Sequence, residues 1–206
     1  MKVILVRHAE TEWNLSRIIQ GHSDSPITPR GMRETSALLA ALLESAYPIA
    51  CIYSSPLGRA RQMGLSLATG LHCPLIIEPS LKEQAFGRFE GLASAQLTRS
   101  HPDDVNALFM HDANYCPPEG ETLAQATQRI MDFFCHLQIA NQHQTVCVVS
   151  HGQVSQGVLA QLKEGVIDNF SRYAQPNASY SVLEWVDGKC TNLQWGMATH
   201  LMKLAR

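Results

Sequence analysis

Short apolar runs alternate with longer amphipathic segments over most of this chain. The apolar runs, each of which predicts a buried strand, cover residues 2–6, 49–53, 75–77 and 145–149. Segments with helical spacing of apolar side chains cover residues 30–45, 57–69, 122 to about 141, and 152–163. Strands that alternate with helices predict an α/β fold with a mostly parallel, doubly wound sheet and helices on both of its faces.

Capping signals place several helix boundaries. Thr28 followed by Pro29 predicts an N-cap with proline at the first helical position. Gly70 predicts the end of the second helix. Thr122 is expected to open the longest helix, which runs to about Asn141, after a polar stretch from residue 94 that is irregular or forms short helices.

The last part of the chain changes its period. Residues 180–186 alternate between apolar and polar, Asp187-Gly188 is typical of a tight turn, and residues 190–196 predict a returning strand. This pattern predicts an antiparallel hairpin at one edge of the sheet. The predicted architecture is therefore a three-layer α/β fold, in a single domain over residues 1–206.

Composition and charge narrow the class of protein. With 45% apolar and 17% charged residues the chain is too polar for a membrane protein and too apolar for a disordered one. The apolar run at residues 3–6 is too short for a signal-peptide core, so we expect a cytoplasmic protein that does not bind membranes. A net charge of −2 gives no general attraction to nucleic acid. The six cysteines form no C-x-x-C pair and are expected to be reduced.

Polar residues follow three of the predicted strands directly. Arg7-His8 follows the first, Ser54-Ser55 and then Arg59 follow the second, and Ser150-His151 follows the fourth. Because ligands of open α/β sheets bind beyond the carboxyl ends of the strands, we expect the two imidazoles to meet over one substrate. Guanidinium groups bind phosphate oxygens in a bidentate manner, so the pattern favours a phosphorylated ligand.

A metal site is the weaker interpretation of the two histidines. Ligand sets of histidine and carboxylate usually show closer spacing and more acidic neighbours than this chain has around His8 and His151. We therefore expect neither a metal nor another cofactor.

Six blocks of sequence match one known pattern in order. They are Arg7-His8-Ala9-Glu10-Thr11-Glu12-Trp13-Asn14, Gln20-Gly21-His22-Ser23-Asp24-Ser25-Pro26-Ile27-Thr28, Ser55-Pro56-Leu57-Gly58-Arg59-Ala60, Leu81-Lys82-Glu83 with Phe86-Gly87 and Glu90-Gly91, Gly120-Glu121-Thr122-Leu123, and Ser150-His151-Gly152. Together they strongly resemble the histidine phosphatase superfamily, in its phosphoglycerate-mutase-like branch. The resemblance spans residues 2 to about 178, and its departure is Ala9, where glycine is commoner.

The resemblance implies a role for each of the central residues. His8 would be the nucleophile that forms a phosphohistidine, and Arg7, Arg59 and His151 would surround the transferring phosphate. Glu83 would be the general acid, although a solvated loop carboxylate is the plainer interpretation and Glu90 is the nearest alternative. A neutral imidazole attacks near neutral pH because its pKa is about 6.5.

Weaker implications concern the rest of the phosphate site. The Asn14 amide would contact the phosphate, although a local turn or cap explains it nearly as well. Gln20-Gly21 would approach the substrate, with His22 beside them, and backbone N–H groups of the helix that starts near Gly152 would bind the phosphate. Arg61 is included, although an arginine two positions after Arg59 on a helix is more often surface charge.

Histidines without any motif context are expected to be exposed or to cap helices: His72, His101, His111, His136, His143 and His200.

The choice between hydrolysis of a phosphoester and mutase-type phosphoryl transfer depends on residues 92–118. Glycolytic mutases of this family carry paired arginines there, whereas this chain has Arg99 alone and looks like the phosphatase members. We therefore predict metal-independent hydrolysis of a small phosphorylated metabolite, with residues 92–118 as a lid-like insertion. A phosphoglycerate mutase-type transfer and a non-catalytic phosphate-binding protein stay open as alternatives. A homo-oligomer is compatible with the sequence.

Overall fold

A mixed sheet lies at the centre of the molecule. The computed structural model describes residues 1–45, 47–140 and 144–204. Within them the strands are β1 Lys2–Arg7, β2 Ile49–Ser54, β3 Leu75–Ile77, β4 Thr145–Ser150, β5 Tyr180–Val186 and β6 Lys189–Met197. Their order is β3-β2-β4-β1-β5-β6. Strands β1 to β4 pair in parallel, and β5 and β6 form an antiparallel hairpin at the edge, which confirms the predicted sheet and hairpin.

Helices connect the strands on both faces. The α-helices are α1 Glu12–Leu15, α2 Pro29–Glu44, α3 Gly58–Leu71, α4 Ser94–Ser100, α5 Pro102–Asn106, α6 Leu123–Ala140 and α7 Gly152–Glu164. Short 3₁₀ turns cover Pro79–Leu81, Gly87–Phe89, Phe170–Tyr173 and Thr199–Lys203, and a π-helical turn covers Ala107–His111. The predicted end of α6 near Asn141 lies outside the described residues. Among the described helices, none combines the length and the hydropathy that a membrane span requires.

The predicted helix boundaries are correct at the start of α2 and wrong at the end of α3. The Thr28 hydroxyl accepts a hydrogen bond from Gly31 N at 2.9 Å, with Pro29 in the first turn. Helix α3 passes through Gly70 and ends where His72 adopts a left-handed φ of 55°. A Cβ at Gly70 would lie 2.3 Å from Leu39 Cδ2, so this glycine lets α3 approach α2 instead of ending the helix.

Two apolar clusters separate the three layers. One joins α2 and α3 to the sheet through Leu38, Leu42, Met63 and Leu67, all at most 2% exposed. The other joins α6 and α7 to the opposite face, and its large buried rings include Phe134. The predicted three-layer arrangement is therefore confirmed.

The segment 92–118 packs beside the carboxyl ends of the parallel strands. A third apolar cluster, which includes Ile19, Phe86 and Leu108, joins it to the loops after β1 and β3. Ser94 ties it to the same region, because both its N–H and its hydroxyl donate to the Arg17 carbonyl. Its predicted action as a lid stays a prediction.

Phe134→Ala should lower the free energy of unfolding by about 3–5 kcal/mol, because it leaves a cavity in the core. Phe134 is fully buried and contacts the rings of Phe133 and Trp185. Urea unfolding measures the change. The matched control on the same helix is Ile139→Ala, since Ile139 is 77% exposed and should cost less than about 1 kcal/mol. Equal losses from the two variants would contradict this account of the core.

Candidate active site

The pairing of β1 with β4 brings the two motif histidines together. Arg7 is in register with Ser150, and the His8 N–H donates to the Ser150 carbonyl at 3.0 Å. His8 and His151 each follow directly on these paired residues, and their ring centroids are 5.3 Å apart. The predicted meeting of the imidazoles is thus a consequence of strand register.

The environment of His8 favours a neutral ring with one free nitrogen. Nδ1 lies 2.8 Å from the Ala9 carbonyl, which can only accept, so Nδ1 carries the proton and the lone pair is on Nε2. Burial, together with the positive charges of Arg59 and Arg7, holds the His8 pKa well below its usual range. His8 is therefore prepared to act as a nucleophile through Nε2.

His151 lies next to His8 and has no exposed surface. It is fully buried and is not among the residues that line the adjoining cavity. Its Nε2 is 2.8 Å from the Ser55 hydroxyl, and burial, with Arg59 nearby, holds its pKa well below the usual range. Its Nδ1 is buried and has no hydrogen-bond partner in the described part of the chain.

Arg59 is the most strongly anchored cation of the site. Its guanidinium donates to the carbonyls of Ser23 and Gly21, each at 2.7 Å, and to the Asp24 carboxylate at 2.9 Å. Arg7 is anchored by a bond from Nη1 to the Gln175 carbonyl. Burial lowers the pKa of both arginines, but a guanidinium remains charged at neutral pH.

Buried donors without a partner cluster around His8. Within residues 1–45, 47–140 and 144–204, the unpaired buried nitrogens include Arg7 Nε, Arg59 Nε and His151 Nδ1. Each such group costs free energy unless another atom bonds to it. The three nitrogens belong to neighbours of His8. Unpaired donors beside one imidazole are the arrangement expected of a site that binds an anion.

Glu83 occupies the N-terminus of α7. Its Oε1 accepts from Gln84 N at 3.0 Å and from Val154 N at 2.8 Å, and its Oε2 accepts from Gln153 N at 3.0 Å. The prediction that N–H groups at this helix start bind the phosphate therefore needs correction, because those of Gln153 and Val154 already bind Glu83.

Gly152 contributes through its small size. A Cβ at this position would lie 3.1 Å from Arg7 Cζ, so glycine lets the guanidinium lie against the start of α7. Ala9, the departure from the family pattern, is buried and has no positive φ, so alanine is tolerated there.

Asn14 has the local capping role, and its predicted contact with the phosphate stays a prediction. Its Oδ1 accepts from Thr11 N at 3.2 Å in a reciprocal capping box and from Asn177 Nδ2 at 3.1 Å. Asn14 also lines the cavity, and its NH₂ group forms no hydrogen bond to the residues that the structure describes. Gln20 and Gly21 line the cavity too, with Gly21 at a φ of 55°.

Two polar residues, Arg61 and His22, lie outside the cavity, and Glu90 has a structural role. Arg61 is exposed and does not line the cavity, because two helical positions rotate it about 200° from Arg59. His22 is also outside the cavity lining, and its Nε2 lies 2.9 Å from the Glu83 carbonyl. Glu90 fixes the loop: burial opposes its ionisation, but hydrogen bonds from His22, Ser23 and Phe86 lower its pKa overall. Glu90 is therefore not an alternative to Glu83 as the general acid.

The other histidines mostly follow expectation. His101, His111 and His136 are exposed, and His72 caps α3. The prediction is wrong for His200, which is partly buried and has its Nε2 2.9 Å from the Ala178 carbonyl. His143 lies outside the described residues.

The cavity in front of His8 has a volume of about 330 Å³. Arg7, Arg59 and Glu83 are among the residues that line it. The lining also includes the predicted Asn14, Gln20, Gly21 and Gly152. Sequence reasoning did not name the remaining lining residues as site candidates: Trp13, Arg17, Ile18, Ile19, Phe86, Ser94, Phe109, Gln153 and Gln156. They come from separate segments, so no local pattern marks them, although Arg17 stands three positions after Asn14. No group of three or more histidine, cysteine or carboxylate side chains in the described ranges could hold a metal ion.

Comparison with known proteins decides the family. Residues 3–198 match the histidine phosphatase superfamily (branch 1). The chain belongs to the histidine phosphatase superfamily. It is 33% identical over 204 residues to a metal-independent phosphoserine phosphatase of Arabidopsis thaliana, with 97% of this chain and 83% of that protein covered.

Other members of the superfamily are similar as well. A probable phosphoglycerate mutase, GpmB, of Proteus mirabilis is 34% identical over 152 residues, with 74% of this chain and 70% of that protein covered. The solved structure of Bacillus stearothermophilus YhfR matches with a TM-score of 0.89 and 27% identity over 97% of this chain and 98% of that one. The family match and the relatives named as phosphatases support the predicted enzyme class, which is phosphomonoester hydrolase.

The two depressed histidine pKa values should make the protein less stable on mild acidification. Unfolded histidines titrate near pH 6.5, whereas folded His8 and His151 titrate lower, so their stabilising effect is complete above about pH 6.5 and is lost as the pH falls. Each ring adds up to about 1.4 kcal/mol per pH unit to the slope of unfolding free energy.

Urea unfolding in phosphate-free buffer from about pH 7.5 to 5.5 measures this slope. The double variant His8→Asn/His151→Asn should show a shallower slope than the parent. The exposed pair His101→Asn/His111→Asn should keep the parent slope, and a parent slope in the first double variant would count against buried neutral imidazoles.

Proposed function

We propose that the protein hydrolyses small phosphomonoesters through a phosphohistidine on Nε2 of His8. The observation that carries this proposal is the neutral, oriented imidazole of His8 at the end of a cavity, with three unpaired cationic or imidazole nitrogens around it. Phosphoryl transfer needs an in-line nucleophile and fixed positive charge around the equatorial oxygens, and this site offers both.

In the first step, Nε2 of His8 attacks phosphorus, and the ester P–O bond breaks as the P–N bond forms. Arg7 and Arg59, which line the cavity, stabilise the charge on the phosphoryl oxygens. Nδ1 of the buried His151, which has no hydrogen-bond partner in the described residues, bonds to one of these oxygens once the phosphoryl group is in place. The leaving oxygen takes a proton from Glu83, which lines the same cavity.

In the second step, water attacks the phosphohistidine from the side that the alcohol has left. Glu83, now ionised, takes a proton from this water, the P–N bond breaks, and inorganic phosphate is released. His8 returns to its neutral form with the proton still on Nδ1. The Ala9 carbonyl holds this tautomer through both steps.

His8→Ala should lower kcat/KM for p-nitrophenyl phosphate at least about a thousandfold, because it removes the nucleophile. Steady-state assays with and without EDTA measure activity, and rapid quenching with labelled substrate traps an acid-labile phosphoenzyme. His136→Ala is the matched control, since His136 is exposed on α6, and should change little. Substrate binding without turnover in the parent protein would point to a non-catalytic phosphate-binding protein.

We propose further that the substrate carries a carboxylate besides its phosphate. Arg17 lines the cavity, is exposed to solvent and forms no ion pair with the residues that the structure describes. Gln156 lies at the same cavity. The similarity to a phosphoserine phosphatase makes O-phosphoserine the first substrate to assay. The arginine of residues 92–118, Arg99, is exposed and outside the cavity lining, which favours hydrolysis over mutase-type transfer.

Arg17→Gln should lower kcat/KM for O-phosphoserine about tenfold to a hundredfold, because a charged hydrogen bond is worth about 1.5–3 kcal/mol. O-phosphoethanolamine, which lacks the carboxylate, should be hydrolysed as before. Arg61→Gln on the exposed face of α3 is the matched control and should affect neither substrate. Equal losses on both substrates would contradict the carboxylate assignment, and efficient interconversion of 2- and 3-phosphoglycerate would assign a mutase instead.

A further inference from the structure

Arg129 on α6 binds the loop that presents Glu83. Its Nη1 donates to the carbonyls of Ser80 at 2.6 Å and Lys82 at 2.8 Å, and its Nη2 donates to the Glu83 carbonyl at 2.8 Å. One guanidinium group therefore binds three backbone carbonyls of residues 80–83, a segment that ends at the proposed general acid. Arg129 is not among the residues that line the cavity in front of His8.

Glu121 extends this arrangement beyond Glu83. Its Oε1 accepts from Arg129 Nη2 at 2.7 Å and from Ala85 N at 2.9 Å, and its backbone carbonyl accepts from Gln84 Nε2 at 2.8 Å. The ion pair thus holds the chain on both sides of Glu83. It is partly shielded, with 26% of the Arg129 side chain and 22% of the Glu121 side chain exposed.

The Glu83 carboxyl group is held separately from its backbone. Its two oxygens bind N–H groups at the start of α7, while its carbonyl binds Arg129 and lies 2.9 Å from His22 Nε2. Helices α6 and α7 pack against each other, so the two anchors share one rigid layer. A displacement of about 1 Å in a catalytic group can cost about a hundredfold in rate, so a loop residue that transfers protons needs such support.

We propose that Arg129, paired with Glu121, is a positioning residue that sets the distance between Glu83 and the leaving oxygen. This inference rests on the proposed function of Glu83. Lysine cannot replace the arginine, because the planar guanidinium reaches three carbonyls and a carboxylate at once and an ammonium group on a flexible stem does not. Arg129 acts through the loop backbone and does not contact the substrate.

The leaving group distinguishes positioning from a purely structural role. p-Nitrophenolate leaves without a proton, whereas the alkoxide of O-phosphoserine needs one from Glu83. The value of kcat/KM reports only the steps up to formation of the phosphoenzyme, so it isolates this proton transfer from the later attack of water. A misplaced Glu83 should slow the alkyl ester selectively, whereas partial unfolding should slow both esters in parallel.

The test compares Arg129→Lys with the parent protein on both esters. We expect kcat/KM for O-phosphoserine to fall about tenfold to a hundredfold and that for p-nitrophenyl phosphate to fall less than about threefold. In a Glu83→Gln background, Arg129→Lys should no longer change the ratio of the two values. Arg88→Lys is the matched control, because Arg88 forms an exposed ion pair with Glu119 away from residues 80–85, and it should leave the ratio unchanged.

A parallel loss on both esters, or an unchanged ratio in a folded variant, would overturn the positioning role. Near-UV circular dichroism and thermal unfolding check the fold. If Arg129→Lys does not fold, Glu121→Gln is judged by the same ratio, since its amide oxygen still accepts from Ala85 N but the ion pair is lost. Failure of the parent protein to hydrolyse either ester would instead refute the proposed function, so the two failures are distinct.

Discussion

The parallel pairing of β1 with β4 is the constraint on which the site depends. This pairing puts Arg7 opposite Ser150, the last residues of the two strands. His8 and His151 are the next residues along the chain, so their imidazoles lie next to each other. A shift of the register by one residue would turn every side chain of a strand to the opposite face. The buried valines and isoleucine of both strands hold the register, so the apolar core and the chemistry of the site have the same origin.

Burial of positive charge is the cost of this arrangement. The side chain of Arg59 is almost inaccessible to water, and burial lowers its pKa, although the guanidinium stays charged. Fixed hydrogen bonds to Ser23, Gly21 and Asp24 offset part of that cost for Arg59. The remaining unpaired nitrogens lower the stability of the free protein, and an anion that binds them would recover that free energy.

Glu83 and Glu90 show how similar residues in one motif block acquire different roles. Glu90 accepts hydrogen bonds from the loop around Ser23 and stabilises it away from the cavity. Glu83 lines the cavity and lies at the N-terminal end of α7, where the helix dipole and two backbone amides stabilise it. Only the folded chain brings α7, which starts about seventy residues later, to this carboxylate.

The order of strands and helices and the site residues next to strand ends could be predicted because their signals are local. Apolar runs define the strands, the Thr28 cap opens α2, and the motif blocks contain His8, Arg59 and Glu83. The prediction of a helix end at Gly70 is wrong, because the reason for this glycine, the approach of Leu39, lies in another helix. The motif also suggests Arg61, because a motif gives spacing but not the direction of a side chain on a helix.

The sequence alone thus determined the layers of the fold and the kinds of group that the site contains. Only the tertiary structure shows which ring nitrogen of His8 is free and that Glu83 accepts hydrogen bonds from the amides at the start of α7. It also shows that Arg129 binds the Glu83 carbonyl and that Arg17 lines the cavity. The physical reason is distance along the chain. Strand and helix signals lie within a few residues, whereas these hydrogen bonds and cavity contacts join segments that only folding brings together.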